Sequence, residues 1–110
     1  MKARDFLQPG ENIIVIFTDG TRFELGNDNT GITGDWTIDP SRLINRVIIY
    51  LRDSQENTNK LYIANHNGVE FVQERERYKI KLAHVQYVGK TDLNWYEFAE
   101  GSQNPIRYIS

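Results

Sequence analysis

The chain has 110 residues, no cysteine and a formal net charge of −2. This length is typical of one domain, so we expect residues 1–110 to share a single core. Without cysteine there is no disulfide framework and no thiol nucleophile, and the chain needs no oxidising compartment. The charged amino terminus does not resemble a signal peptide, and no segment approaches the ~18 apolar residues of a membrane span. These features predict a cytoplasmic protein with no membrane association.

The basic side chains are concentrated in the middle of the chain. Residues 42–90 carry nine Lys or Arg against five Asp or Glu, whereas residues 1–41 carry three against seven. A basic sheet face would attract phosphate, and the alternative is that neighbouring elements pair their charges. The composition leaves both interpretations open.

The first predicted element is a β-hairpin over residues 13–25. Two runs rich in β-branched and aromatic residues flank Asp19-Gly20, a dipeptide that suits a type I′ turn. This turn would pair Ile16 with Phe23 and leave one face of the hairpin half apolar. A half-apolar face indicates cover by another element or by a partner, so the hairpin is also a candidate dimer surface.

The next segment, residues 26–35, is rich in Gly and Asn and predicts a loop. It lacks both glycine-rich phosphate motifs, so we expect no nucleotide cradle there. Asp39-Pro40 then has the residue order of a helix start, which predicts a short helix reaching Ile44.

The most apolar run of the chain covers residues 47–51 and is closed by Arg46 and Arg52. Its length and its β-branched residues are typical of a strand that is buried on both faces. We therefore expect a central strand here, within a barrel centre that spans residues 36–90.

The second half of the chain continues mainly with strands. Residues 61–72 predict two strands around a turn at 65–68, and residues 78–88 predict the longest strand. The alternation of apolar and polar residues in that strand slips near Ala83, which predicts a β-bulge, and bulges bend strands into barrels. Residues 94–110 predict a short capped helix and a final strand.

The candidate binding residues are aromatic and basic. Rings that stack on a base, with basic groups on the flanking phosphates, are the usual chemistry of single-strand or flipped-base recognition. A small barrel also needs rings to fill its core, so a core position stays open for both tryptophans. The candidate stacking residues are Trp36, Tyr50 and Trp95, and the candidate phosphate contacts are Arg46, Arg52 and Lys79.

Signatures of catalysis and of metal binding are weak. His66 and His84 offer an acid–base pair for phosphodiester cleavage, but nothing in the sequence fixes their separation, and two surface histidines are the alternative. The pair lacks H-x-x-x-H spacing and no cysteine is present, so we expect no metal site and no cofactor. No serine occupies a G-x-S-x-G motif. The sequence therefore favours binding over catalysis.

Three segments in order resemble the central part of PUA-like barrels of the EVE and ASCH kind. They are residues 45–50 (Asn-Arg-Val-Ile-Ile-Tyr), residues 61–64 (Leu-Tyr-Ile-Ala) leading into Gly68-Val69, and residues 78–82 (Tyr-Lys-Ile-Lys-Leu). The resemblance covers residues 34–90 and implies a module that binds RNA or a modified base, with a ligand pocket near Trp36 and Tyr50.

The predicted fold class is mainly β with two short helices, in a small, strongly curved or closed, PUA-like barrel of five to seven strands. The first functional hypothesis is non-enzymatic binding of RNA or DNA. The second is a protein-interaction module, such as a homodimer through the 13–25 hairpin or an accessory protein of a phage or of a defence system. The third is a small ribonuclease that uses His66 and His84.

Overall fold

The computed structural model describes residues 1–110 and contains seven strands. The strands are β1 (Ile13–Thr18), β2 (Phe23–Leu25), β3 (Gly31–Trp36), β4 (Arg46–Asp53), β5 (Thr58–Val72), β6 (Arg77–Thr91) and β7 (Ile106–Ile109). They form one mixed sheet in the order β2-β3-β6-β5-β4-β1-β7. A 3₁₀ helix at Ala3–Phe6 and a one-turn α-helix, α1 (Trp95–Phe98), complete the fold. The prediction of a mainly β protein is confirmed.

The apolar run at residues 47–51 forms the interior strand β4, as the sequence predicts. The four residues at positions 47–50 are each at most 1% exposed. β4 lies between β5, which runs antiparallel to it, and β1, which runs parallel to it. Because alternate side chains point to opposite faces of a sheet, β4 contributes to a core on each face.

Each face of the sheet carries one apolar core. The helix-side core packs the sheet against α1 and the 3₁₀ helix, and it contains Ala3, Ile13, Val15, Ile48, Tyr50, Leu61, Phe98 and Ile109. The inner core lies on the other face, and it contains Ile14, Ile16, Val47, Ile49, Ala64, Ile80 and Leu82. Neighbouring residues of β1 and β4 alternate between the two cores, which explains the uninterrupted apolar runs at residues 13–17 and 47–51.

The predicted hairpin over residues 13–25 does not form. β1 pairs with β4 and β7, whereas β2 pairs with β3. Residues 13–16 are all at most 1% exposed, so β1 needs cover on both faces, which an interior position in the sheet supplies. A hydrogen bond from the Gly20 amide to Thr18 Oγ1 turns the chain away after β1. The hairpin surface that was a candidate for dimerisation is therefore absent.

Two other polar segments differ from their predictions. The 26–35 loop is shorter than expected, because Gly31–Trp36 forms β3. The turn predicted at 65–68 lies inside the 15-residue strand β5, where the register against β6 shifts between His66 and Val69. Gly68 has φ +106°, a left-handed conformation that glycine adopts without steric cost, so a bulge absorbs the polar residues without ending the strand.

Of the two predicted helices, one forms. Asn94 caps α1, and its Oδ1 accepts a hydrogen bond from the Glu97 amide at 2.8 Å. The segment after Asp39 makes only a turn, in which the Asp39 carboxylate accepts hydrogen bonds from the amide and the hydroxyl of Ser41. These local bonds satisfy the aspartate without a helix.

The bulge predicted near Ala83 is confirmed. His84 and Val85 of β6 together lie opposite the single residue Ala64 of β5, and His84 has φ +51°. Another register shift lies in β3 between Thr33 and Trp36. Bulges bend the strands that contain them.

The sheet is curled but open. Residues of β3 and β7, near opposite ends of the strand order, line one cavity, while β2 and β7 stay the unpaired edges of the sheet. The expected number of strands and the curvature are thus present, whereas a closed barrel is not. Neither helix is long and apolar enough to cross a bilayer.

Candidate functional site

The largest cavity of the protein lies at the open seam between β3 and β7 and has a volume of about 550 Å³. This volume is within the range of small-molecule sites. We call it the seam cavity, and it is lined by Asp35, Trp36, Thr37, Arg77, Asn104, Pro105, Ile106 and Tyr108. Two rings, a guanidinium group and a carboxylate therefore meet in one concave surface.

Both rings of the seam cavity are held in place by polar contacts. The Trp36 indole Nε1 donates to Thr33 Oγ1 at 3.1 Å, and Thr33 is fully buried. The Tyr108 hydroxyl accepts a hydrogen bond from the Asp39 amide at 3.2 Å, and the Arg42 guanidinium lies 4.0 Å from the centre of the Tyr108 ring. Trp36 and Tyr108 are both half-buried and both line the cavity, and Arg42 covers one face of the Tyr108 ring.

The carboxylate of Asp35 lies at the rim of the seam cavity between two arginines. Its Oδ2 is 3.4 Å from Nε of Arg22 and 3.0 Å from Nη1 of Arg75. The Asp35 side chain is only 3% exposed, whereas those of Arg22 and Arg75 are 45% and 47% exposed. Neither oxygen of Asp35 has an aligned hydrogen bond, so the contacts are ionic. We call Arg22 and Arg75 the arginine pair.

Two smaller hollows lie at the arginine pair. One, of about 300 Å³, contains Trp36, Asp35 and Arg22 in its lining. The other, of about 190 Å³, is lined by Arg22, Glu24, Ile32, Arg75 and Lys79. The predicted phosphate contact Lys79 thus lies beside the arginine pair. A Cβ at Gly34 would come within 2.9 Å of Lys79 Cγ, so glycine at this position lets the lysine lie across β3.

Tyr50 and Trp95 belong to the helix-side core and not to the wall of the seam cavity. Tyr50 is 1% exposed, its hydroxyl donates to the Leu93 carbonyl at 2.6 Å, and burial raises its pKa. A sealed ring cannot stack on a base, so the sequence prediction for Tyr50 is corrected. Trp95 packs edge-on against Tyr50 at 5.6 Å. Its Nε1 donates to the Asn104 carbonyl at 2.8 Å, so Trp95 supports the cavity wall from behind.

The two arginines of β4 lie at opposite ends of that strand and do not line the seam cavity. Arg46 Nε and Nη2 donate to the two carboxylate oxygens of Glu11 at 2.5 and 2.7 Å, and Nη2 also donates to the Phe6 carbonyl. Arg52 donates to the side-chain oxygens of Asn57 and Asn59 at 2.5 and 3.1 Å. Local partners therefore hold both guanidinium groups away from the candidate site.

The two histidines lie in different surroundings. His66 is paired with Leu82 of the inner core, its Nδ1 accepts a hydrogen bond from the Gly68 amide at 3.3 Å, and burial lowers its pKa. His84 is exposed and lines a separate shallow hollow with Arg46 and Gln86. No cluster of three or more His, Asp or Glu side chains is arranged to hold a metal ion.

Most of the charged residues around Trp36 were not among the predicted site residues. Asp35 fell in a predicted loop, and Arg75 and Arg77 fell in a charge run that is typical of an exposed rim. Arg22 lies in the predicted 13–25 hairpin, which does not form. The available signal was the two arginines at positions 75 and 77, but Asp35, the partner of Arg75, comes from a distant segment.

No protein-family model, curated protein or solved structure matches the chain. The class of the protein therefore rests on its own geometry. It is a mainly β protein with one curled, open, seven-stranded sheet, and a cavity lined by two aromatic rings, an arginine and an aspartate lies at the seam of that sheet.

Proposed function

We propose that the protein is a non-enzymatic nucleic-acid-binding module that takes one unstacked base of RNA or DNA into the seam cavity. One observation carries the proposal: the largest cavity combines the half-buried rings of Trp36 and Tyr108 with the guanidinium group of Arg77. Base stacking on aromatic faces and charge-assisted hydrogen bonds to phosphate are the two interactions that single-strand binders use.

The roles of the individual residues follow from their positions. The Trp36 ring, fixed by Thr33, supplies the stacking face, and Tyr108 closes the opposite side of the base. Arg77 is exposed, and its Nη1 donates to the carbonyls of Arg75 and Glu76, so its other N–H groups are free for a phosphate. Stacking of one base contributes about 1 to 3 kcal/mol to binding.

Two further points support the proposal. The resemblance to PUA-like barrels implies a ligand pocket near Trp36 and Tyr50, and of these two residues Trp36 lines the seam cavity. A modified base is therefore included among the candidate ligands. We also propose a cytoplasmic location, where an RNA or DNA partner would be available to a protein that needs no disulfide bond.

Replacing Trp36 with alanine is expected to weaken binding of a labelled single-stranded oligonucleotide by about 10- to 100-fold, because the base loses its stacking face. Fluorescence anisotropy at low salt measures the affinity for RNA and DNA of mixed sequence, with and without methylated bases. Tyr96→Ala is the matched control, since this aromatic residue is 56% exposed on α1, outside the lining of the cavity.

The same titrations can overturn the proposal in two ways. Phosphate contacts make the affinity of the unaltered protein fall steeply with added salt. If no oligonucleotide binds at low salt, the protein is not a nucleic-acid-binding module of this kind. If Trp36→Ala binds as tightly as the unaltered protein, any base is bound outside the seam cavity.

A protein-interaction module is the second candidate, and an exposed apolar patch beside the open edge β2 favours it. Leu25 and Tyr87 are 47% and 53% exposed. Tyr87 packs on Tyr62 at 5.3 Å, and Tyr62 packs on Phe23 at 5.4 Å. An unpaired edge strand next to apolar side chains can accept a strand from a second copy of the chain.

This second candidate predicts a homodimer in solution. Multi-angle light scattering at increasing protein concentration should show a rise from the monomer mass toward twice that mass. Tyr87→Lys, which places a charge in the patch, should keep the protein monomeric. A strict monomer at every concentration would remove the homodimer from consideration.

A further inference from the structure

We propose that the arginine pair and Lys79 bind a phosphate group of the nucleic acid, and that Asp35 is the positioning residue that holds the two guanidinium groups in place. The assignment rests on the proposed function, because the phosphate belongs to the nucleotide whose base enters the seam cavity. It adds a site next to that cavity, formed by residues from three separate segments of the chain.

The arginine pair is assembled from two turns that are distant in the chain. Arg22 lies in the turn between β1 and β2, and Arg75 lies in the turn between β5 and β6, 53 positions apart in the chain. Asp35 contacts both guanidinium groups through one oxygen, Oδ2. The Gly34 amide also donates to the Arg22 carbonyl at 3.1 Å, so backbone and side chain of Arg22 are both fixed to β3.

Most of the N–H donors of the arginine pair are free to bind a ligand. A guanidinium group has five N–H donors, and the contacts to Asp35 are made from Nε of Arg22 and Nη1 of Arg75. Almost half of each arginine side chain is exposed, while the carboxylate beneath is covered. The buried anion is thus under a surface that presents cationic donors to solvent, which is the arrangement that a phosphate needs.

The hollow at the arginine pair has the charge and the size that suit a phosphate group. The hollow of about 190 Å³ between the arginine pair has Lys79 as its third cation and Glu24 as an acidic neighbour. Together with Asp35, these side chains have a net charge of about +1, which favours an anion. A nucleic-acid phosphate fits because it is compact and accepts the parallel hydrogen bonds of a guanidinium fork.

A third hollow links the phosphate site to the seam cavity. The hollow of about 300 Å³ shares Arg22 with the phosphate site and shares Trp36 and Asp35 with the seam cavity. A nucleotide could therefore place its base between the rings and its phosphate on the arginine pair.

The salt dependence of oligonucleotide binding tests the phosphate site separately from the base site. Each phosphate contact to a single strand contributes about 0.7 to the slope of log affinity against log salt concentration. Arg22→Ala and Arg75→Ala should each lower the affinity for all sequences and reduce the slope by about 0.7. Trp36→Ala should lower the affinity with the slope unchanged. Arg4→Ala, an exposed arginine paired with Glu100, is the matched control and should change neither quantity.

Asp35→Asn separates positioning from simple electrostatics. Removing a negative charge would tighten phosphate binding if Asp35 acted only through its charge. If Asp35 positions the arginine pair, the affinity should instead fall, by about 5- to 10-fold, although the net charge becomes more positive. Arg22→Lys is the second variant, because it keeps the charge and loses the fork, and it should weaken binding about as much as Arg22→Ala does.

The outcomes distinguish the two proposals. Unchanged salt slopes for Arg22→Ala and Arg75→Ala, or tighter binding by Asp35→Asn, would overturn the phosphate site while oligonucleotide binding stands. If no oligonucleotide binds, inorganic phosphate is titrated while NMR amide shifts are followed in the turns at residues 19–22 and 73–76. Shifts that are lost in Arg75→Ala would support an anion site without the proposed function, and no shifts at millimolar phosphate would overturn it.

Discussion

Replacing Phe98 with alanine is expected to lower the free energy of unfolding by about 3 to 5 kcal/mol. Phe98 is fully buried, and its ring lies 5.4 Å from that of Tyr50 and 6.4 Å from that of Phe6. The neighbours on β4 are fixed by strand pairing on both sides, so they cannot collapse into the space that the ring leaves. A domain of this size has a total stability of about 5 to 15 kcal/mol. The variant would therefore lose a large part of it.

Urea unfolding followed by far-UV circular dichroism measures this loss. Tyr96→Ala is the matched control, because Tyr96 is in the same helix turn and is 56% exposed. The control should change the free energy of unfolding by less than about 0.5 kcal/mol. If both variants lose the same amount, the cost comes from the integrity of α1 and not from the burial of Phe98.

The helix-side core also connects the stability of the fold to the candidate site. Trp95 packs against the stacked rings of Phe17 and Tyr50, at 5.6 Å from each, and donates to the carbonyl of Asn104. Asn104 lines the seam cavity. The same aromatic packing that anchors α1 therefore places one wall of the cavity. The sequence made Trp95 a candidate for stacking directly on a base. In the structure it contributes to the seam cavity only indirectly, by placing one of its walls.

Features that depend on local sequence were predictable. The interior strand β4 follows from an uninterrupted apolar run, and the bulge at His84 follows from a slip in the alternation of β6. The cap of α1 follows from an asparagine three residues before a glutamate. Each of these features is specified by residues within a few positions of one another.

Features that depend on distant residues were not predictable. Asp19-Gly20 is a favourable turn in either fold, but the hairpin that it suggests would leave Val15 and Phe17 without cover. Parallel pairing of β1 with β4 buries both faces of β1, and no local pattern in the sequence identifies β4 as its partner. The burial of the whole strand outweighed the local preference for a hairpin.

In the candidate site too, some residues could be predicted from local sequence and others depend on contacts between distant segments. Trp36 was predicted and lies in the seam cavity, and Lys79 was predicted and lies beside the arginine pair. Tyr50 has the same residue type as a stacking tyrosine, and only its packing against Phe98 shows that it is core. Arg22 and Arg75 could not be selected from the other arginines, because the shared contact with Asp35 exists only in the folded chain.

Replacing Glu11 with glutamine is expected to lower the free energy of unfolding by about 2 to 4 kcal/mol at pH 7. The Glu11 and Arg46 side chains are 9% and 19% exposed, and two charge-assisted hydrogen bonds join them. Removing the carboxylate charge leaves the largely covered Arg46 guanidinium without its counter-ion. The lower end of the range allows for the part of Arg46 that water still reaches. Arg4→Gln is the control, because the pair of Arg4 with Glu100 is more exposed, at 51% and 23%, and this variant should cost less stability than Glu11→Gln.

The same variant should also change the response of the protein to acid. The hydrogen bonds from Arg46 hold the pKa of Glu11 below its ordinary value of 4.5. The unfolded chain therefore binds this proton at a higher pH than the folded protein does. The stability that the pair supplies is fully present above about pH 4.5 and is lost as the pH falls through the lower pKa of the folded state. Because a glutamine side chain binds no such proton, unfolding free energies measured from about pH 7 to about pH 3 should fall less steeply in Glu11→Gln. Parallel curves for the two proteins would show that the ion pair contributes nothing to the acid response.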